Sequence, residues 1–170
     1  MTSPDGAKAL HSERLDLIAL APQVASALVE GVRLDGWAAD FPQDGDMVIA
    51  RLLNDHPPTS ADQVSFGPRH LILRETGLVV GTAGFFGPPD EHGAVGLGYG
   101  VVPSVRDQGL ATEALRALLD FAASDPRVAL VKADASLENT ASRRVLDNGG
   151  MAQVSTDDAL AYYEWTPPRV

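Results

Sequence analysis

The run from Gly93 to Ala123, GAVGLGYGVVPSVRDQGLATEALRALLDFAA, limits what this chain can fold into more than any other part of it. A glycine-loosened apolar strand passes through Pro103-Ser104 and a polar turn, Arg106 to Ala111, into a long helical pattern. Ala111, Ala114, Leu115, Leu118, Leu119 and Ala122 recur at helical spacing on one side, with Glu113, Arg116 and Asp120 opposite. A strand that enters a helix through a glycine-bearing turn leaves backbone N–H groups unpaired and aligned, and the helix dipole adds partial positive charge there. The turn is therefore a seat for a phosphate or pyrophosphate.

Two common phosphate motifs do not fit. Gly96, Gly98 and Gly100 form GxGxG inside a strand, not GxGxxG opening a helix, and no glycine-rich loop ends in Lys-Ser or Lys-Thr. What remains is Arg106-x-x-Gly109-x-Ala111, in which Gly109 permits close backbone approach and Ala111 keeps the first helical turn slim. The formal charge of −10, from 23 acids against 13 Lys and Arg, argues against a nucleic-acid partner. It suits a cationic or amine-bearing substrate, or serves solubility alone. With no cysteine, thiolate nucleophiles and Cys-based zinc sites are excluded, and the four histidines show no metal-ligand spacing, so no metal is expected. Neither a membrane-length apolar run nor a signal-peptide pattern is present, so a cytoplasmic protein is expected.

The 170 residues suit one domain, with residues 1–12 as a flexible N-terminus and 13–166 as the folded unit. Arg14–Leu20 reads as a first strand, and helices are expected from Ala21-Pro22 to Gly31 and from Asp44 or Asp46 to His56. A polar linker leads to strands at 70–74 and 78–86, joined by Glu75-Thr76-Gly77. The loop Gly87–Gly93 precedes the strand Ala94–Val102 and the long helix. A strand at 128–133, a helix at 138–148 and strands at 151–155 and 160–165 complete the order. Strands interleaved with helices imply an α/β mixed sheet with helices covering it.

The helix at 138–148 carries Asn139-Thr140-Ala141-Ser142-Arg143-Arg144-Val145-Leu146, with Asn139 placed as N-cap and Gly149-Gly150 as the stop. Together, VVPSVRDQGLATEAL and NTASRRVLDNGGM resemble the GCN5-related N-acetyltransferases (GNAT), in particular the branch of ribosomal-protein Ser/Ala N-terminal acetyltransferases. The opening SERLDLIAL looks like the start of that branch, and the likeness runs from about Ser12 to Trp165. The resemblance implies a GNAT fold: a mixed, mostly antiparallel sheet, splayed between its fourth and fifth strands and flanked by about four helices. It further implies acetyl-CoA as co-substrate, lying in that opening. The implied cofactor-binding residues are Val101, Val102, Arg106, Asp107, Gln108, Gly109, Leu110, Ala111, Thr112, Asn139, Ser142 and Arg144. The arm of the cofactor would pair with the Gly98–Val102 strand, and either Arg143 or Arg144 would reach its outer phosphates. A homodimer is compatible with the resemblance.

Three positions depart from the family pattern. Gly96 stands where relatives carry a glutamate near the attacking amine, Leu146 where many carry a proton-donating tyrosine, and Asp107 where glycine is usual in the turn. Asp107 is expected to face outward. The resemblance implies direct transfer of acetyl to a primary amine, on a protein N-terminus or a small molecule, with Ser142 as proton donor. The base would be reached through water at Glu91, His92 or a carboxylate of the 35–46 loop. Trp37, Asp40, Phe41 and Tyr99 are candidate substrate-binding residues, with Asp44, Tyr162 and Tyr163 beside them. Trp37 and Phe41 would otherwise pin their loop to the core. The alternatives are a catalytically weak acyl-CoA-binding module for sensing or protein contact, and an acyltransferase using a longer acyl-CoA.

Overall fold

The computed structural model of the chain describes residues 6–169. Eight strands form one sheet: β1 (Leu10–His11), β2 (Leu15–Ala19), β3 (Pro68–Leu73), β4 (Leu78–Phe85), β5 (Ala94–Val101), β6 (Leu130–Ser136), β7 (Ala152–Thr156) and β8 (Leu160–Trp165). Their order is β1-β2-β3-β4-β5-β6-β8-β7, antiparallel at every pair but β5–β6. Among the described residues five helices accompany them: α1 (Pro22–Val29), α2 (Asp44–Asp55), α3 (Ala61–Ser65), α4 (Leu110–Ser124) and α5 (Thr140–Gly149). A 3-10 turn, Pro103–Val105, joins β5 to α4.

The mixed, mostly antiparallel sheet is the expected one, with two differences. α3 lies in the stretch read as a polar linker, held by Ser60, whose hydroxyl accepts from the Gln63 N–H. That makes five helices where about four were expected. β1 lies in the expected N-terminal tail, where Leu10 and His11 pair with Leu17 and Asp16, and Ala7 and Ala9 are buried. Residues 1–5 of that tail lie outside the described residues.

Burial along the strands shows which parts of the sheet are covered. β4 is buried at seven of its eight positions, so both its faces are packed, which is why LVVGTAGF reads as a continuous apolar run. β6 alternates, with Val131, Ala133 and Ala135 buried and Lys132, Asp134 and Ser136 exposed, and β7 is exposed throughout. One face of the β6–β8–β7 half is therefore bare. On the other face, Leu110, Ala114, Leu115, Leu118, Leu119 and Ala122 of α4 enter the core as their spacing predicts.

The parallel pair β5–β6 is brief. It runs through Ala94↔Leu130, Val95↔Val131 and Gly96↔Lys132, after which the strands part. β5 stays with β4 as far as Val101↔Gly81, and β6 stays with β8 as far as Ser136↔Leu160. This opening matches the expected splay between fourth and fifth strands, the short β1 being left out of the count.

Among the described residues four polar ones are buried: Asp46, Arg69, His70 and Thr82. His70 sits opposite Thr82 on the neighbouring strand, with its ring edge-on to Phe41 at 5.4 Å. Burial pushes its imidazole down to about 4 from 6.5. The folded chain therefore binds fewer protons at this site than the unfolded chain, and stability is lost as pH falls from 6.5 through 4. A shift of that size is worth roughly 3 kcal/mol. Urea midpoints measured at pH 7 and pH 4.5 should differ less in His70→Asn than in the parent; equal differences would remove His70 from the acid response.

Candidate active site

The turn after β5 has the form its sequence foretells, with one addition. Gly109 takes φ +80 and is the N-cap of α4, and Asp107 takes φ +61, a left-handed conformation in which glycine is normally preferred. The first hydrogen bond of the helix runs from the Glu113 N–H to the Gly109 carbonyl. Leu110, Ala111 and Thr112 therefore present N–H groups with no partner behind them. No acidic side chain precedes Glu113 in that first turn to spend their charge.

These residues line one end of a cavity of about 610 Å³ between the end of β5 and α5. Its walls include Tyr99, Gly100 and Val101 of β5, Val105, Arg106, Asp107 and Gly109–Thr112 of the turn, and Asn139, Ala141, Ser142, Arg144, Val145 and Asn148 of α5. Asn139 caps α5, its side-chain oxygen accepting from the Ser142 N–H at 3.0 Å. Arg144 faces the cavity. Arg143 turns away to bond the Leu137 carbonyl and Gln153.

Tyr99 meets Ser142 across this cavity. Its hydroxyl lies 3.0 Å from Ser142 Oγ and 3.0 Å from the Ser142 carbonyl oxygen. Burial, with a contribution from Tyr163, pushes the Tyr99 pKa up to about 12 against the opposing pull of the Ser142 hydrogen bond. Tyr99 therefore lines the same cavity as Ser142, apart from Trp37, Asp40 and Phe41, with which it was grouped as a substrate-binding candidate.

Several expected site residues stand elsewhere. Val102 is fully buried and its N–H is used by the Val80 carbonyl. Gln108 does not line the cavity, but its carbonyl accepts from Arg14 Nη2 at 2.7 Å. Trp37 and Phe41 are core residues, 8% and 1% exposed and edge-on to each other at 5.2 Å, because Arg33 bonds the carbonyls of Trp37, Ala38 and Phe41 and turns the loop inward. Asp40 accepts from the Ser104 N–H and hydroxyl, fastening this loop to the turn and holding its carboxyl below the usual range. Glu91 and His92 pair with each other at 3.4 Å, at 86% and 81% side-chain exposure. They precede β5, at the end of the strand remote from the turn, and neither lines this cavity.

A second cavity of about 430 Å³ is lined by Phe86, Gly96, Leu97, Lys132, Ala133, Asp134, Val154, Ser155, Tyr162, Tyr163 and Glu164. Side chains alternate along a strand, so Gly96 and Gly98 face opposite to Tyr99. No residue lines both cavities: the first is walled by the end of β5, the turn and α5, the second by Phe86 and residues of β5, β6, β7 and β8. Tyr162 and Tyr163 were nominated from the sequence as candidates; Phe86, Lys132 and Asp134 were not.

Residues 21–152 match the family model described as the acetyltransferase (GNAT) domain. The chain belongs to the GNAT family. A relative from Bacillus subtilis (strain 168), bearing the name "Uncharacterized N-acetyltransferase YjdG", is 27% identical over 95 residues, 56% of this chain and 55% of its own. The chain thus aligns with about half the length of that curated relative. Among solved structures, Mycobacterium smegmatis RimJ in complex with CoA-disulfide superposes with TM-score 0.65 at 19% identity, over 97% of this chain and 90% of its own. RimL, a ribosomal L7/L12 alpha-N-protein acetyltransferase in complex with coenzyme A, gives 0.65 at 14%, over 94% and 98%. At such identities the likeness is one of fold. Among the described residues no cluster of His, Cys, Asp or Glu is arranged to hold a metal, and no helix is long and apolar enough to cross a membrane.

Proposed function

We infer that this member of the family transfers acetyl from acetyl-CoA directly to a primary amine. The observation that carries the reading is the 610 Å³ cavity, with an amide cradle at one end and the Tyr99–Ser142 pair on its wall. The residues fit such a ligand. Leu110, Ala111 and Thr112 would hold the pyrophosphate through backbone N–H groups, with Arg106 and Arg144 supplying charge. Beyond Gly96 the β5 edge that faces β6 has no strand partner, so an extended pantetheine arm can add to it as a strand would. The thioester would then reach the opening, and the amine would approach from the second cavity. Without cysteine, no cysteinyl acyl-enzyme can form, and attack on the thioester is direct.

In this mechanism a backbone N–H of the free β5 edge polarises the thioester carbonyl, and the departing thiolate takes a proton from the Tyr99–Ser142 pair. Tyr99 takes the part of the tyrosine absent at Leu146, which is fully buried and cannot serve. The RimL and RimJ neighbours favour a protein N-terminus among the acceptors, whereas the cavity volumes suit a small amine equally. Gly96 favours a second reading, an acyl-CoA-binding module, since no carboxylate stands at that position. Release of free CoA thiol from acetyl-CoA in the presence of a primary-amine panel tests the first reading. Thermal stabilisation by CoA without thiol release on any amine would establish the second. Faster release from propionyl- or succinyl-CoA would make the enzyme a longer-chain acyltransferase.

A further inference from the structure

The second cavity is built around an exposed aromatic side chain. Phe86 is 69% exposed, whereas its neighbour Phe85 is 2% exposed. The Phe86 N–H donates to the Gly96 carbonyl at 2.9 Å, which extends the β4–β5 ladder by one residue and lays the ring across β5. A Cβ at Gly98 would lie 2.9 Å from Phe86 Cζ, and one at Gly96 would lie 3.2 Å from Phe86 Cδ2. A side chain at either position would push the ring away. The two glycines therefore form a shelf for Phe86, and the missing carboxylate at Gly96 is the counterpart of an added aromatic surface.

The charged groups of the cavity lie around that surface. Lys132 pairs with Gly96 across the last β5–β6 contact and with Glu164 across β6–β8. Asp134 lies two residues farther along β6, where the strands have parted, so it borders the opening itself. Among the described residues none of Lys132, Asp134 and Glu164 takes part in an ion pair. The Tyr162 hydroxyl is engaged by Asp157 at 2.5 Å, so Tyr162 is tethered away from service as a mobile donor. The lining holds two carboxylates against one ammonium, in a chain of charge −10.

We propose that this cavity selects, as acceptor, a small primary amine with a flat apolar body, stacked on Phe86 and with its ammonium on Asp134. The proposal rests on the acetyl-transfer reading and names the substrate class for it. A ring face attracts both an apolar plane and an adjacent cation, and a carboxylate beside it holds the charged nitrogen. A volume of 430 Å³ is that of a small-ligand site rather than a groove for a polypeptide. In the reaction the ammonium gives one proton to Asp134. Its nitrogen then bonds to the thioester carbonyl carbon and the C–S bond breaks. A second proton leaves the amide nitrogen for water, and the thiolate receives one from the Tyr99 side.

The test compares phenethylamine, butane-1,4-diamine and the tripeptide Phe-Gly-Gly as acceptors for the full chain, its Phe86→Ala, Phe86→Tyr and Asp134→Asn variants, with thiol release as the readout and CoA binding measured separately. Phenethylamine should be the best of the three. Phe86→Ala should raise its KM about tenfold with CoA affinity unchanged, and Phe86→Tyr should restore it. Asp134→Asn should lower kcat/KM by about a hundredfold. Turnover of phenethylamine with the same KM in Phe86→Ala would overturn the proposal and leave acetyl transfer standing. Preference for the diamine or the tripeptide would overturn the substrate class. Loss of a dimer in Phe86→Ala, seen by sedimentation with acceptor KM unmoved, would make the ring an interface instead. No thiol release from any acceptor, with CoA still bound, would remove the acetyl-transfer reading and this proposal together.

Discussion

Tyr99→Phe should lower kcat for thiol release by about a hundredfold while CoA affinity stays within about twofold. The substitution removes one oxygen and keeps the ring, so the cavity wall and the β5 ladder remain. What is lost is the hydroxyl 3.0 Å from Ser142 Oγ. With its pKa pushed up to about 12, that hydroxyl keeps its proton at every pH at which the protein would be assayed, as a donor to a leaving thiolate must. Ser142→Ala should also cut turnover and spare CoA binding, because the Ser142 carbonyl still accepts from Tyr99 and Asn139 still caps α5 through the backbone. Two groups acting as one relay are not additive, so the double variant should be little worse than the poorer single one. An unchanged kcat in Tyr99→Phe would exclude the phenol, and an unchanged kcat in Ser142→Ala would exclude the serine.

The parts of this site that were legible in the sequence are those set by local geometry. Gly109 before a helical pattern announces an open N-terminus, and Asn139 three residues before Ser142 announces a cap; both stand as read. The parts that were not legible depend on residues far apart in the chain. Trp37 and Phe41 among acids resemble a binding wall until Arg33 gathers three carbonyls of their loop and turns both rings inward. The tail residues before Ser12 look polar and free, yet the buried guanidinium of Arg69 accounts for part of their order by bonding the Lys8 carbonyl. The splay came from family resemblance alone, since no local pattern tells where β5 and β6 stop pairing. Phe86 had a signal that went unused. Phe85 and Phe86 are adjacent in a strand, so one must face away from the other, and Gly96-x-Gly98 leaves room for it.

Arg14→Ala should weaken CoA binding by ten- to a hundredfold without unfolding the chain. Arg14 was read only as the start of a first strand. In the folded chain its guanidinium reaches under the phosphate turn: Nη2 donates to the Gln108 carbonyl at 2.7 Å and Nε to Glu113 Oε1 at 2.5 Å. A Cβ added at Gly109 would lie 3.4 Å from the same Nη2. Glu113 is held in turn by the Ser12 hydroxyl and the Arg14 N–H, and these bonds and the ion pair keep its carboxyl ionised below the usual range despite the opposing effect of burial. The network ties the β1–β2 turn to the left-handed residues on which the cradle depends. It also places a cation behind the amides that would meet the pyrophosphate. Charge-assisted hydrogen bonds of this kind are worth about 1.5–3 kcal/mol, which at about 1.4 kcal/mol per decade gives the stated range. Arg14→Lys retains the charge and loses the two-pronged geometry, so it should fall between the parent and alanine. The discriminating ligand is acetyl-pantetheine, which has the thioester arm but no pyrophosphate. If Arg14 acts on the cradle, KM for acetyl-CoA rises in Arg14→Ala and KM for acetyl-pantetheine does not. Equal losses on both thioesters would mean that the substitution disturbs the β5–β6 opening as a whole, and Arg14 would then be a structural residue with no particular bearing on phosphate.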